Sequence, residues 1–177
     1  MSFEHNVPTL DNATVNAARE ISERRAATIS RMIDEAAKRG LDDAFAYDAV
    51  ADYGADNARE FRKTLKDPDS FREFIDNFGT DHNREIYEME TVTKTDDELQ
   101  IDFHYCPYVT QWVRQGKTEQ EIARLCEIAM AGDHAFAGAF RHVDFTLEGT
   151  IAEGRPVCTL RFRRTDGTDG TDAEVAR

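Results

Sequence analysis

Two hydrophobic periods divide the chain. Up to about residue 78 the apolar positions recur at helical spacing, and from residue 84 runs of period two appear between further helical stretches. Val15, Ala18, Ile21, Ala26, Ile29, Ile33 and Ala36 form one stripe, with Arg19, Glu20, Glu23, Arg24 and Arg25 on the other side. Asp11 or Asn12 can cap this helix, which begins near Thr14, and Gly40 stops it. Leu41, Phe45, Val50 and Tyr53 predict a second helix, interrupted by Gly54 and continued by Phe61 and Leu65. The turn Asp67-Pro68-Asp69-Ser70 leads into a short third helix carrying Phe71, Phe74, Ile75 and Phe78. Residues 79–83, with His82, read as a loop.

Residues 84–95 (REIYEMETVTKT) read as a strand, with Tyr87 and Met89 on one side. After a turn at residues 95–98, Leu99, Ile101, Phe103 and Tyr105 alternate with Gln100, Asp102 and His104, which predicts an antiparallel hairpin. Cys106-Pro107 ends the second strand, because proline removes a ladder donor and suits a helix start. Residues 108–115 predict a short helix with Trp112, ended by Gly116. Thr118 and Glu121 have capping-box spacing for a helix running to about Phe140. Val143, Phe145 and Leu147 alternate, residues 152–154 turn, and residues 157–164 return as a second hairpin.

The order is helices, hairpin, helices, hairpin. It predicts an α+β fold with a four-stranded antiparallel sheet covered by helices on one face. A single domain is expected over 1–164, helical over 13–78 with a helix/hairpin core over 84–164. Residues 165–177, with Thr-Asp-Gly repeated, are expected to be a disordered tail.

Composition narrows the function classes. At 177 residues and 40% hydrophobic, the chain can bury a core without disulfides. A formal net charge of −13 counts against nucleic-acid binding and against docking on anionic lipid. No apolar run approaches the ~20 residues of a membrane span. Three cysteines and no apolar leader after Met1 suggest a reduced, cytoplasmic protein with free thiols. The long N-terminal helices can pack within the chain or against a second copy, as a homo-oligomer.

The chemistry-bearing residues concentrate in residues 104–140. Period two places His104 and Cys106 on one side of a strand end, where an imidazole can activate a thiol. The competing reading is a half-buried cysteine beside a solvated histidine. Cys126 and Asp133 are seven residues apart, so they share a helix face with Met130 and Ala137. A carboxylate in such an apolar stripe is either partnered or shifted in pKa, unless Gly132 breaks the helix and frees it to water. His134 follows it and can serve either face. Cys158 alternates with Leu160 and Phe162 and therefore faces the core. The cysteine separations of 20 and 32 residues match no short zinc signature, yet Cys106, Cys126 and Cys158 could supply zinc ligands from separate elements.

The succession Cys106-Pro107-Tyr108-Val109, Trp112, Leu125-Cys126, Gly132-Asp133, Gly154 and Cys158-Thr159-Leu160-Arg161-Phe162 resembles the L-2-amino-thiazoline-4-carboxylic acid hydrolase family over roughly residues 84–164. The resemblance implies a hydrolase that needs no cofactor and acts on a cyclic amidine-type C–N bond. Its small-molecule substrate would be 2-aminothiazoline-4-carboxylate, opened to N-carbamoyl-cysteine. It places Cys106, Cys126, Asp133 and Cys158 at the family's motif positions. His104 and His134 join them as acid/base candidates from geometry alone. Tyr108, Trp112, Arg161 and Cys158 are expected to touch substrate, with Arg161 or Arg114 meeting its carboxylate. A small-molecule or metal-binding sensor module without turnover is the alternative.

Overall fold

The structure, a computed structural model, describes residues 3–79 and 81–165. The expected disordered tail lies outside the described residues beyond Thr165. Six helices and four strands follow in the order α1 (Ala13–Ala37), α2 (Ala44–Thr64), α3 (Phe71–Asn77), α4 (Asp81–Tyr87), β1 (Met89–Lys94), β2 (Glu98–Phe103), α5 (Pro107–Arg114), α6 (Glu119–Gly138), β3 (Val143–Leu147) and β4 (Cys158–Arg164). A 3-10 turn, Ile151–Glu153, lies in the β3–β4 connection. The fold is α+β. No helix among the described residues is long and apolar enough to cross a membrane.

Caps act where the sequence places them. Asn12 accepts the Val15 N–H at 3.0 Å and starts α1. Thr118 and Glu121 form the reciprocal capping box of α6. All strand pairings are antiparallel and the sheet order is β1-β2-β4-β3, so the two hairpins join through β2 and β4. Leu99, Ile101, Leu160 and Phe162 are buried on the face covered by helices. The opposite face carries Glu98 and Arg161, which pair at 2.6 Å.

Under the sheet, Phe162 meets Phe74 and Phe78 with ring centroids 5.4 and 4.6 Å apart. Phe61, Phe136 and Phe140 extend this aromatic core to α2 and α6. Trp112 is buried between α5 and α1, and its indole N–H donates to the Ala26 carbonyl at 3.2 Å.

Two elements differ from the pattern reading. The strand expected from residue 84 begins only at Met89, and the loop expected over 79–83 passes into α4. The cause is tertiary. Glu88 takes φ 49°, a left-handed turn that separates helix from strand. Arg19 of α1 holds that turn by donating to the carbonyls of Glu85 and Ile86 and to the Glu88 carboxylate.

Gly54 does not interrupt α2; it is where α2 crosses α6. A Cβ there would overlap the Gly132 carbonyl oxygen and lie 2.6 Å from the Gly132 Cα. The backbones touch because neither residue has a side chain. Gly54→Ala is therefore expected to destabilise the fold by about 1–3 kcal/mol, the usual cost of overpacking, despite a helix-propensity gain of about 1 kcal/mol. Gly138→Ala, with nothing within 4 Å of the added methyl, is expected to stabilise it slightly. Thermal unfolding of the two variants measures both, and equal melting temperatures would show that the crossing is not close-packed.

Candidate active site

Three thiols converge from three elements. Cys106 is the N-cap residue of α5, with Pro107 in the first turn. Its backbone N–H donates to Asn6 Oδ1 at 2.7 Å, and the Asn6 amide returns bonds to the Cys106 carbonyl and to Thr110. The N-terminal segment thus clamps the start of α5. Burial pushes the Cys106 thiol up to about 11, although backbone N–H groups of Val109 and Tyr108 favour the thiolate. Cys126 rises to about 12, first through burial and then through Cys106, with Thr150 acting in the opposite direction. Cys158 is buried and its sulfur accepts the Ile151 N–H at 3.2 Å. Burial, then Cys106, pushes it well above the thiol range. At neutral pH all three are thiols.

Asp133 sits within α6, which continues through Gly132 without a break. Its residue is exposed to solvent. Loss of hydration nevertheless raises its carboxyl to about 6, against the Arg25 guanidinium, which acts to lower it.

Two phenols share this region. Tyr87, at the C-terminus of α4, is raised by burial and then by Tyr108, Cys106 and Asp133, while Ser22 bonds its hydroxyl. Its ring stacks on Phe103 at 5.2 Å. Tyr108, the second residue of α5, is held at about 12 by burial against the opposing Arg25. Both are neutral O–H donors at working pH. Arg25 lies over the Tyr53 ring, 5.0 Å from its centroid.

The expected site residues separate into two groups. Cys106, Cys126, Cys158, Asp133 and Tyr108 come together. His104 is exposed and pairs with Glu90 at 3.0 Å. His134 is exposed and meets the Phe145 ring edge-on at 5.0 Å. Trp112 is core, Arg161 bridges Glu98 and Glu148, and Arg114 pairs with Glu23. Tyr87, Tyr53 and Arg25 complete the cluster and were not singled out from the sequence. A groove of about 610 Å³ runs between α6 and the β3–β4 connection, and Cys126 lines it. The groove does not include Asp133.

No group of three or more His, Cys, Asp or Glu among the described residues is arranged to hold a metal ion.

What remains is a neutral-thiol, neutral-phenol wall around one titrating carboxylate and one arginine. That set can bind a small polar molecule, move a proton near pH 6 and add a nucleophile. Comparison with curated proteins gives no match, and neither does comparison with solved structures. The family model for L-2-amino-thiazoline-4-carboxylic acid hydrolase matches residues 19–162, a span that takes in most of α1, nearly all of the sheet and every member of the cluster, and the chain belongs to that family.

Proposed function

We propose that this chain opens a cyclic amidine of the 2-aminothiazoline-4-carboxylate type, with Asp133 as the proton-transfer group and Cys106 as the nucleophile. The observation that carries the reading is the Asp133 carboxyl, on an exposed residue yet raised to about 6, whose charge and that of Cys106 both act on Tyr87 and Tyr108. A general base works best when its pKa lies near the operating pH.

The Cys106 sulfur bonds to the ring carbon between nitrogen and sulfur, and its proton passes to Asp133. The C–S ring bond breaks, and the departing sulfur takes that proton. Water, deprotonated by Asp133, then adds to the same carbon and expels the Cys106 thiolate, which takes that proton back from Asp133. The product, N-carbamoyl-cysteine, keeps the ring nitrogen on the carbamoyl carbon. The bond broken is therefore ring C–S, although the amidine C–N bonds make the carbon electrophilic. The buried phenols of Tyr87 and Tyr108 supply O–H donors for charge that develops on nitrogen or sulfur.

One observation favours a second route. With Cys106 near 11, only about one molecule in ten thousand carries the thiolate at pH 7. Asp133 would then activate water directly, with the thiols forming a dry wall. Cys106→Ser separates the two routes. A fall in kcat of about 100-fold or more is expected for nucleophilic attack, since the alcohol is the weaker nucleophile. Retention within about tenfold assigns the attack to water. Release of the new thiol and of the carbamoyl group is followed together. If the wild-type protein binds 2-aminothiazoline-4-carboxylate without releasing thiol, the hydrolase reading fails and a sensor without turnover takes its place.

A further inference from the structure

We infer that Arg25, laid over Tyr53, anchors the substrate carboxylate, so that the gap between Arg25 and Asp133 selects a zwitterionic ring. This rests on the hydrolase reading above and names what that site recognises. The geometry begins at the α2–α6 crossing. Gly54 and Gly132 touch through their backbones. Tyr53 precedes one and Asp133 follows the other, so the crossing brings the Tyr53 and Asp133 positions to the same place. Arg25 reaches that place from α1 and lies on the Tyr53 ring at 5.0 Å.

Stacking on an aromatic face fixes the guanidinium plane without using its N–H groups. Five donors therefore remain for a ligand, in the fork that matches a carboxylate. Its neighbours are committed elsewhere: Arg19 pairs with Glu88, Arg24 with Glu20 and Arg114 with Glu23. Among the described residues, Arg25 has no carboxylate within the 4.0 Å of an ion pair, Asp133 included, although it feels the Asp133 charge. Opposite charges are thus held apart beside the α2–α6 crossing. A ring with an amidinium at one end and a carboxylate at the other satisfies both: the amidinium lies toward Asp133 and the carboxylate toward Arg25. Cys106 and the phenols of Tyr87 and Tyr108 flank the space between.

The test compares 2-aminothiazoline-4-carboxylate with 2-aminothiazoline, which has the same amidine and no carboxylate, on the full chain. The wild type is expected to prefer the carboxylated ring by about 10- to 100-fold in kcat/KM, the range of a charged hydrogen-bonded contact. In Arg25→Met that ratio falls to near one, and in Arg25→Lys it is partly restored. An unchanged ratio in Arg25→Met overturns the assignment, as does a loss that falls equally on both compounds. If the wild type turns over neither compound, the hydrolase reading fails and calorimetric titration decides the anchor. Tighter binding of the carboxylated ring that Arg25→Met abolishes supports it, and equal or absent binding of the two compounds overturns it.

Discussion

Asp133→Asn is expected to lower kcat by about 100- to 10,000-fold, the range supplied by a positioned general acid/base, and at the same time to raise the melting temperature at pH 8. The two effects have one cause. Burial holds the Asp133 carboxyl at about 6, above its ordinary 3.8, so the folded chain resists ionising it. A group whose folded pKa is raised contributes stability that is fully present below its unfolded pKa and lost as pH rises through the folded value. Above about pH 6 the ionised Asp133 therefore costs stability, and the neutral amide removes that cost. The gain in melting temperature should shrink as pH falls through 6 and vanish below about 3.8. The wild-type rate should rise with pH through the same region, because only the carboxylate accepts a proton. A merely structural Asp133 would give a less stable, inactive variant. A melting temperature that falls at pH 8, or activity retained within tenfold, would sink the assignment. A strained functional carboxylate whose removal stabilises the fold is the expected trade of stability for activity.

The residues that the pattern made visible are those whose chemistry contradicts their surroundings along one element. Asp133 was legible because it shares a helix face with Cys126, Met130 and Ala137. Arg25 carried the same kind of signal. At 100° per residue it falls in line with Ala18, Ser22 and Ile29, so it breaks an apolar stripe as Asp133 does. Grouping it with Arg24 and Glu23 as a solvated face concealed this. Arg161 shows the reverse. Alternation with Leu160 and Phe162 already places it on the outer face of β4, away from Cys158, where it pairs with Glu98 and Glu148. Tyr87 was not legible as a site residue, because a four-residue run such as Arg84–Tyr87 fits strand or helix equally until the Arg19 clamp decides it. Gly54 likewise carries no local mark that separates a helix break from a helix crossing, since only its partner Gly132 distinguishes them. The caps of α1 and α6 and the β1–β2 hairpin were readable because their determinants lie within four residues or repeat with period two, whereas the β2–β4 pairing that joins the hairpins has no local mark.

Arg19→Met is expected to cost about 3–5 kcal/mol, the cost of breaking a buried ion pair by removing one partner. The Arg19 and Glu88 side chains are 4% and 8% exposed and meet at 2.8 Å. Arg19 also donates to the carbonyls of Leu10, Glu85 and Ile86, and its guanidinium lies 4.6 Å from the Tyr105 ring centroid. Glu88 in turn accepts the backbone N–H groups of Thr9 and Leu10 and the Thr9 hydroxyl. Removing the cation leaves a buried carboxylate and three carbonyls short of a partner. At about 2–4 °C per kcal/mol for a chain of this size, the melting temperature should fall by roughly 10 °C. Because the pair holds the turn that ends α4, Tyr87 should also lose its place beside Tyr108 and Asp133, and activity should fall in the fraction that remains folded. The pH dependence follows from Glu88. Burial acts to raise its carboxyl, but the N–H groups of Leu10 and Thr9, the Thr9 hydroxyl and Arg19 outweigh it and hold the pKa below 4.5. A depressed carboxyl contributes stability that is present above its unfolded pKa and lost as pH falls through the folded one. Wild-type stability should therefore drop below pH 4.5, and Glu88→Gln should flatten that slope while lowering stability at pH 7. Arg19→Met combined with Glu88→Leu should recover part of the loss, since an apolar pair leaves no buried charge. If the double variant is as unstable as the sum of the singles, the two side chains do not act as a pair, and the turn at Glu88 is held by the backbone alone.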